Sequence, residues 1–327
     1  ELLTRKAIEI KPDIAAAHLN LGLILKQLGK LQEAELSLST AIKLNPDYAE
    51  AYYNLGTILI DRSKLQEAEL SLSTAIKLNS DYYDAYFNLS WLQLLRGEYQ
   101  AGLENYEFRF KTNNPVIPHS QSKLKKIGNK ELEKKDKLLI ISEQGLGDTL
   151  QYMRYIPYLR SLGLDVSFCA QVKLHSLIKS SRIDLHPLTP QEASKISEGN
   201  WIPLLSLCRY LQVNPQNPIV SKPYINSTDD LVKKWKKILS KEKKPIIGIN
   251  WQGNPDVENE NQKGRSLPLE NFSSLDRDDN FKFLSLQKGF GSEQLDYCSF
   301  KNKFVECQPQ INSTWDFLEN AAIIQNC

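Results

Sequence analysis

The sequence has little of what disulfide-rich, metal-binding or membrane proteins need. Its 327 residues include five cysteines and four histidines, with no Cys-x-x-Cys pair and no second ligand at metal spacing, which argues against disulfide frameworks and zinc sites. We expect the cysteines to be reduced and mostly buried. No run of about 18 apolar residues occurs and residues 1–6 lack a signal-peptide layout, so we expect no membrane span and a cytoplasmic location. The net charge of +2 predicts no binding of nucleic acid.

One long segment is repeated almost unchanged 34 residues later. Gly29–Asn45 returns as Ser63–Asn79, and this period is that of tetratricopeptide repeats, which are pairs of antiparallel helices. Ala34 recurs as Ala68 and Gly102, so we expect small residues where paired helices approach closely. The residues resemble that family and predict an α solenoid of about three repeats over residues 1–111, beginning with the second helix of an earlier repeat.

Stacked repeats form a curved array whose concave face usually binds peptide or protein segments. Candidates for that face are Asn20, Asn54, Asn88, Tyr53 and Phe87. The alternative is structural, with the asparagines bonded to neighbouring helices and the rings filling the stack. The last helix, over residues 97–110, is aromatic to its end, so we expect it to pack on the next domain. Residues 112–137 are proline-containing and basic, which predicts a linker.

Lys137–Gln151 changes the periodicity from helical repeat to strand, turn and helix. The short apolar run from Leu138 predicts a strand buried on both faces of a parallel sheet. Gly145 and Gly147 predict a tight turn with positive φ, and Asp148 is predicted to cap a helix that runs to residue 163. The motif lacks the third glycine of a dinucleotide site and the Lys of a phosphate loop. Asp148 is therefore either a general base aimed into a cleft or only a helix cap.

Strands alternate with helices from here on, which predicts parallel sheets in residues 112–228 and 229–327. We expect strands over 165–170, near Ile183, over 201–205, 244–251, 281–286 and 304–307, and a helix over 314–325. In the loop over 252–266, Lys263 and Arg265 precede a helix start near 267–269. They either bind a diphosphate or form a solvated loop. Lys288 follows a strand at the same rim.

Five motifs stand in a fixed order along the chain. They are the repeats ending in Phe108-Arg109-Phe110, then Ser142–Gln151, Trp251-x-Gly-Asn254, Arg265–Pro268 and Ser285–Gly289. This set resembles bacterial tetratricopeptide proteins fused to a heptosyltransferase-like glycosyltransferase of family 9, and more distantly the O-linked N-acetylglucosamine transferases. The resemblance implies two Rossmann-like domains of the glycosyltransferase-B fold, with residues 112–228 on the acceptor side and 229–327 on the nucleotide-sugar side.

The resemblance also implies a reaction and a site. A sugar passes from a nucleotide-diphosphate sugar to a hydroxyl, with no cofactor or metal, and Asp148 is the catalytic carboxylate. The implied nucleotide-sugar site consists of Gly145, Gly147, Trp251, Gly253, Asn254, Lys263, Arg265, Ser266 and Lys288.

In that family an Asp-Thr segment and a histidine-bearing helix follow the terminal helix and hold the nucleotide. They do not follow here, so we expect the second α/β domain to be incomplete and residues 1–327 to bind donors weakly. The alternative function, of a different class, is a non-catalytic repeat scaffold that binds protein partners.

Overall fold

The computed structural model describes residues 1–128, 131–220, 222–253, 255, 266–277 and 279–327. An α solenoid comes first, and two parallel β-sheets with helices around them follow. Within these ranges, no helix combines the length and the apolar composition that crossing a membrane requires.

Seven helices form the solenoid: α1 (Leu2–Ile10), α2 (Ala15–Gln27), α3 (Leu31–Leu44), α4 (Ala49–Asp61), α5 (Leu65–Leu78), α6 (Tyr83–Leu95) and α7 (Tyr99–Tyr106). They pair as α2 with α3, α4 with α5 and α6 with α7, while α1 packs on α2. The predicted helical repeats and the lone first helix are both confirmed.

Small residues lie where the paired helices touch, as the repeat pattern predicts. Ala34 and Ala68 are completely buried. A Cβ atom added to Gly102 would lie 2.8 Å from Cγ of Leu94, which leaves no room for a side chain. The helices of a pair therefore approach closely because these positions carry little or no side chain.

The first sheet contains four parallel strands in the order β1-β4-β2-β3. They are β1 (Lys125–Lys126), β2 (Lys137–Ile141), β3 (Asp165–Cys169) and β4 (Asn200–Pro203). The accompanying helices are α8 (Leu146–Tyr152), α9 (Tyr155–Ser161), α10 (His175–Ser180), α11 (Pro190–Ala193) and α12 (Leu207–Tyr210). Residues 138–141 of β2 are buried, because β2 has a strand on each side and helices cover the sheet.

Three predictions for this unit are wrong. The single helix predicted up to residue 163 is divided into α8 and α9. Ile183 is buried but lies outside any strand, and Leu188 instead forms one isolated parallel bridge with Cys169. The predicted linker contains β1, whose Lys125 and Lys126 pair with β4 at the edge of the sheet. Charged side chains are tolerated there because an edge strand is exposed to water.

The second sheet pairs β5 (Ile246–Ile249) with β6 (Lys282–Ser285) in parallel. Its helices in the described residues are α13 (Asp229–Leu239), α14 (Gln294–Tyr297), α15 (Gln308–Asn312) and α16 (Phe317–Ile324), with a 3-10 helix at Leu269–Arg277. Phe304 contributes one isolated bridge instead of the strand predicted over 304–307. The parallel pairing agrees with the predicted α/β class, while the glycosyltransferase-B arrangement stays a prediction.

Helix α16 joins the two α/β units. It packs against α13 in its own unit and against α10 in the first unit. Ser227 donates a hydrogen bond from Oγ to the carbonyl of Leu318 at 2.8 Å, and Ser176 donates to Oδ1 of Asp316 at 3.3 Å. These contacts hold the two units on either side of a cleft.

Candidate functional site

The turn after β2 reverses the chain at a glutamine. Ser142 and Glu143 are fully buried at the end of the strand. Gln144 takes the left-handed conformation with φ of 61°, and Gly145 has φ of −80° and ψ of 168°. The predicted positive φ at Gly145 and Gly147 is wrong, because Gln144 alone makes the left-handed step of this turn. Such a conformation costs a non-glycine residue about 1–3 kcal/mol and is often found at functional sites.

Asp148 is the third residue of α8 and not its cap. Gly145 is the N-cap, and Oδ2 of Asp148 accepts a hydrogen bond from the Gly145 N–H at 2.9 Å. This contact is one half of a capping box, and a carboxylate in the first turn also interacts favourably with the helix dipole. Asp148 thus stabilises the start of α8 as its third residue, and not as the predicted N-cap. Its carboxylate is partly exposed, so a ligand can also reach it.

A cleft of about 870 Å³ lies between the two α/β units. Leu146 and Leu150 of α8 line it on one side, and Leu286 and Lys288, which follow β6, line it on the other. The carboxyl ends of β2 and β6 therefore open onto the same cleft, which is where open parallel sheets bind their ligands. Most of the lining is apolar, and its charged side chains are Lys173, Lys288 and Asp316.

Lys288 is held in place by the second unit. Its ammonium donates hydrogen bonds to the carbonyl of Ile311 and to Oγ1 of Thr314. Burial lowers the pKa of Lys288, and the nearby Glu319 carboxylate opposes that shift. An ammonium has three N–H donors, so one donor remains for a ligand in the cleft.

The other described candidates of the second unit have structural contacts. Trp251 is buried, and its Nε1 donates to the carbonyl of Gly291 at 3.0 Å. Its backbone N–H donates to Oε1 of Gln287 at 3.3 Å. The Gly253 N–H donates to Oγ of Ser266 at 3.0 Å. Trp251 therefore packs in the core of the second unit, and its predicted contact with the nucleotide sugar stays a prediction.

The remaining candidates, Asn254, Lys263 and Arg265, lie outside the described residues. Their predicted contact with a diphosphate stays a prediction. The helix expected to start near 267–269 is the 3-10 helix that begins at Leu269.

In the repeats, several concave-face candidates make contacts within the solenoid. Asn54 donates to the carbonyl of Glu50 at 2.8 Å, and Asn88 donates to the hydroxyl of Tyr53 at 3.5 Å. The rings of Tyr53 and Tyr82 lie 4.7 Å apart. These contacts favour the structural interpretation for Asn88 and Tyr53, whereas Asn54 bonds within its own helix α4.

Phe87 and Asn20 differ from those three residues. Phe87 packs edge-on against Trp91, with ring centroids 6.0 Å apart, and its ring lies 5.7 Å from that of Tyr106. Asn20 is exposed on α2. Trp91, which the sequence interpretation missed, is itself 53% exposed, so the solenoid presents a large ring to solvent beside Phe87.

A buried ion pair connects the last repeat to the turn. Arg109 and Glu143 are both fully buried, and Nη2 of Arg109 lies 2.8 Å from Oε1 of Glu143. Arg109 also donates to Glu107 at 3.0 Å and to Ser206 at 2.9 Å. The predicted packing of the last repeat helix on the next domain is confirmed. The signals in the sequence are Arg109 between two aromatic residues and Glu143 two residues after the end of the apolar strand β2.

Comparisons with known proteins concern the repeats. A family model described as "TPR repeat" matches residues 23–59, and one described as "Tetratricopeptide repeat" matches residues 53–107. Residues 23–107 form a tetratricopeptide-repeat array. The two matches leave the α/β units undescribed, and no curated protein matches the chain.

Several solved structures are similar to part of the chain. MamA is 31% identical over 34% of this chain and 64% of that chain, with a TM-score of 0.32. YrrB, described as a TPR protein with an unusual peptide-binding site, is 21% identical over 34% of this chain and 57% of that chain, with a TM-score of 0.32. PilF of Pseudomonas aeruginosa is 22% identical over 32% and 48%, with a TM-score of 0.31. This chain covers less than two thirds of each.

Proposed function

We propose that this protein is a glycosyltransferase whose cleft takes a nucleotide-diphosphate sugar and a hydroxyl acceptor, without a metal ion. The observation that carries the proposal is the cleft itself, onto which the carboxyl ends of β2 and β6 both open. Leu146 and Leu150 of α8 line the cleft on one side, and Asp148 lies between them in the first turn of that helix without lining the cleft itself. On the other side lies the Lys288 ammonium with a donor to spare. The order of motifs along the chain supports the same proposal.

The chemistry assigns one role to each side of the cleft. The Asp148 carboxylate accepts the proton of the acceptor hydroxyl while the hydroxyl oxygen bonds to the anomeric carbon. The bond between that carbon and the diphosphate oxygen breaks, and the nucleoside diphosphate leaves with the electron pair. Lys288 stabilises the negative charge on the leaving group, together with Arg265 and Lys263 if they reach the same ligand.

Substitution of Asp148 tests this proposal. Asp148→Asn keeps an oxygen that can accept from the Gly145 N–H, so we expect an unchanged melting temperature. The amide cannot take a proton, so turnover should fall by about a hundredfold or more. The assay follows release of nucleoside diphosphate by the natural full-length protein from UDP-glucose, UDP-N-acetylglucosamine, GDP-mannose and ADP-heptose.

The chain provides a matched control for that variant. Glu192 is also the third residue of a helix, and its Oε2 accepts from the Thr189 N–H at 2.8 Å. Glu192→Gln changes a capping carboxylate to an amide outside the cleft, so turnover should be unchanged. Equal turnover in the wild type and Asp148→Asn would remove Asp148 from the mechanism, and no release from any donor by the wild type would overturn the proposed function.

We also propose that the repeats bind a peptide or protein segment, as tetratricopeptide arrays generally do. The exposed rim of α6 supports this, because Trp91 and Leu95 are 53% and 71% exposed. In a peptide-array experiment, Trp91→Ala should lose binding. Leu36→Ala, which removes an exposed side chain from α3, should retain it. If both variants bind like the wild type, α6 is not the binding surface.

The cytoplasmic location is part of the proposal. All five cysteines are free, and three of them are buried, which suits a reducing compartment.

A further inference from the structure

Gln144 is the most constrained residue of the turn. Its φ of 61° is unfavourable for any residue other than glycine. The residue that follows, Gly145, carries the N–H that bonds to Asp148. Any change in the conformation of Gln144 therefore moves the group that orients the Asp148 carboxylate.

The side chain of Gln144 is held by the repeat array. Nε2 of Gln144 donates a hydrogen bond to the hydroxyl of Tyr106 at 2.8 Å. Tyr106 is the last residue of α7 and is 8% exposed. Its hydroxyl thus meets the turn in a buried environment, where a hydrogen bond fixes geometry more strongly than at the surface.

Tyr106 is in turn fixed by its neighbours. The guanidinium of Arg109 lies 4.4 Å from the centre of the Tyr106 ring. Arg109 also donates to the carbonyl of Tyr106 at 3.0 Å and to both carboxylate oxygens of Glu143. Glu143 directly precedes Gln144, so Arg109 and Tyr106 hold two consecutive residues of the turn from the same helix end.

We propose that Tyr106, with Arg109 behind it, is a positioning residue that sets the conformation of the turn bearing Asp148. The tetratricopeptide array is then a structural part of the catalytic cleft and not a separable binding module. The functional half of this inference rests on the proposed glycosyltransferase activity. The structural half does not, because the hydrogen bond between Gly145 and Asp148 can be measured without any substrate.

The experiment is a double-substitution cycle with Tyr106→Phe and Gln144→Ala in the natural full-length protein. Tyr106→Phe removes one hydroxyl and keeps the ring on Arg109. We expect the Gly145 amide to exchange its hydrogen about fivefold faster, as loss of about 1 kcal/mol of hydrogen bonding predicts. In the Gln144→Ala background the same substitution should have no further effect.

Tyr210→Phe is the matched control. The hydroxyl of Tyr210 also accepts one hydrogen bond, from the Leu132 N–H at 3.0 Å, and Leu132 precedes β2 whereas the turn follows it. It should leave the exchange of the Gly145 amide unchanged. In the active enzyme, Tyr106→Phe should lower kcat per folded enzyme severalfold and leave KM for the donor unchanged, measured well below the melting temperature so that loss of folded protein does not contribute.

The outcomes separate the two proposals. Unchanged exchange of the Gly145 amide in Tyr106→Phe overturns the inference, whatever the activity. Faster exchange with unchanged kcat in an active enzyme overturns its functional half. Faster exchange in Tyr106→Phe, together with a wild-type protein that transfers no sugar, supports the positioning of the turn and overturns the proposed function instead.

Discussion

Lys288 is the residue whose environment most directly suggests a ligand. It is half-buried, its pKa is lowered by that burial, and two of its donors are used within its own unit. A partly desolvated ammonium binds an anion more strongly than one in water. We therefore expect Lys288 to contribute to binding of a nucleoside diphosphate.

Lys288→Met should weaken the binding of UDP, GDP or ADP, whichever the protein prefers, by about tenfold or more. Isothermal calorimetry gives the dissociation constants. Lys282→Met is the matched control, since Lys282 also donates to a backbone carbonyl, that of Asn302 at 2.9 Å, and it should bind like the wild type. Equal affinities in all three proteins would contradict a role for Lys288.

Two helical glycines are expected to respond oppositely to alanine. A Cβ atom on Gly56 would lie 2.8 Å from Cγ of Leu72, whereas a Cβ atom on Gly147 would have nothing within 4 Å. Gly56→Ala should cost about 1–3 kcal/mol through overpacking. Gly147→Ala should stabilise the protein by up to about 1 kcal/mol, because alanine favours the helix and Gly147 needs no positive φ. Urea denaturation measures the free energy of unfolding of each variant. A destabilising Gly147→Ala would instead support the positive φ that the sequence predicts at Gly147.

The burial of the end of the last repeat helix depends on the first sheet beside it. Arg109 is fully buried, and it donates hydrogen bonds to Glu107 in the last repeat and to Glu143 and Ser206 in the first α/β unit. A fragment of residues 1–111 keeps the helix pairs, because their contacts are between sequence neighbours. It loses Glu143 and Ser206 and exposes the aromatic end.

We therefore expect the fragment of residues 1–111 to be helical by circular dichroism and to self-associate in sedimentation. Arg109→Ala within the fragment should not reduce its helicity, since Glu143 and Ser206, two of the three partners that bury Arg109, are already absent. A monodisperse monomer at high concentration would show that the aromatic end does not need a covering surface.

We expect acid to weaken the contacts between the repeats and the first sheet. Burial alone would raise the pKa of Glu107, but Arg109, the Ser206 hydroxyl and Lys126 together lower it below the ordinary value. A lowered carboxylate pKa stabilises the folded state above the unfolded pKa of about 4.3, and this contribution is lost as the pH falls through the folded value.

Glu107→Gln should thus lower the melting temperature at pH 7, and this effect should shrink as the pH falls below the unfolded pKa of about 4.3, because Glu107 then becomes protonated in the wild type too. Scanning calorimetry of both proteins across this range checks the prediction. A difference in melting temperature that stays constant with pH would exclude the charge of Glu107 as its cause.

Local patterns in the sequence predict the repeats, their length and the buried strand β2. A 34-residue period and an apolar run over 138–141 express contacts between neighbours in sequence and the burial of one element. Such features leave a pattern along the chain. The helix pairs, the small residues between them and the parallel β2 were predictable for this reason.

The geometry of the candidate site depends on contacts between residues far apart in the sequence. Arg109 meets Glu143 across 34 residues and Ser206 across 97 residues, and no periodicity records a contact of that kind. The left-handed step at Gln144 was predicted at the glycines because glycine favours it locally. It lies at Gln144 instead, where the contact with Tyr106 from the repeat array holds a conformation that the local sequence disfavours.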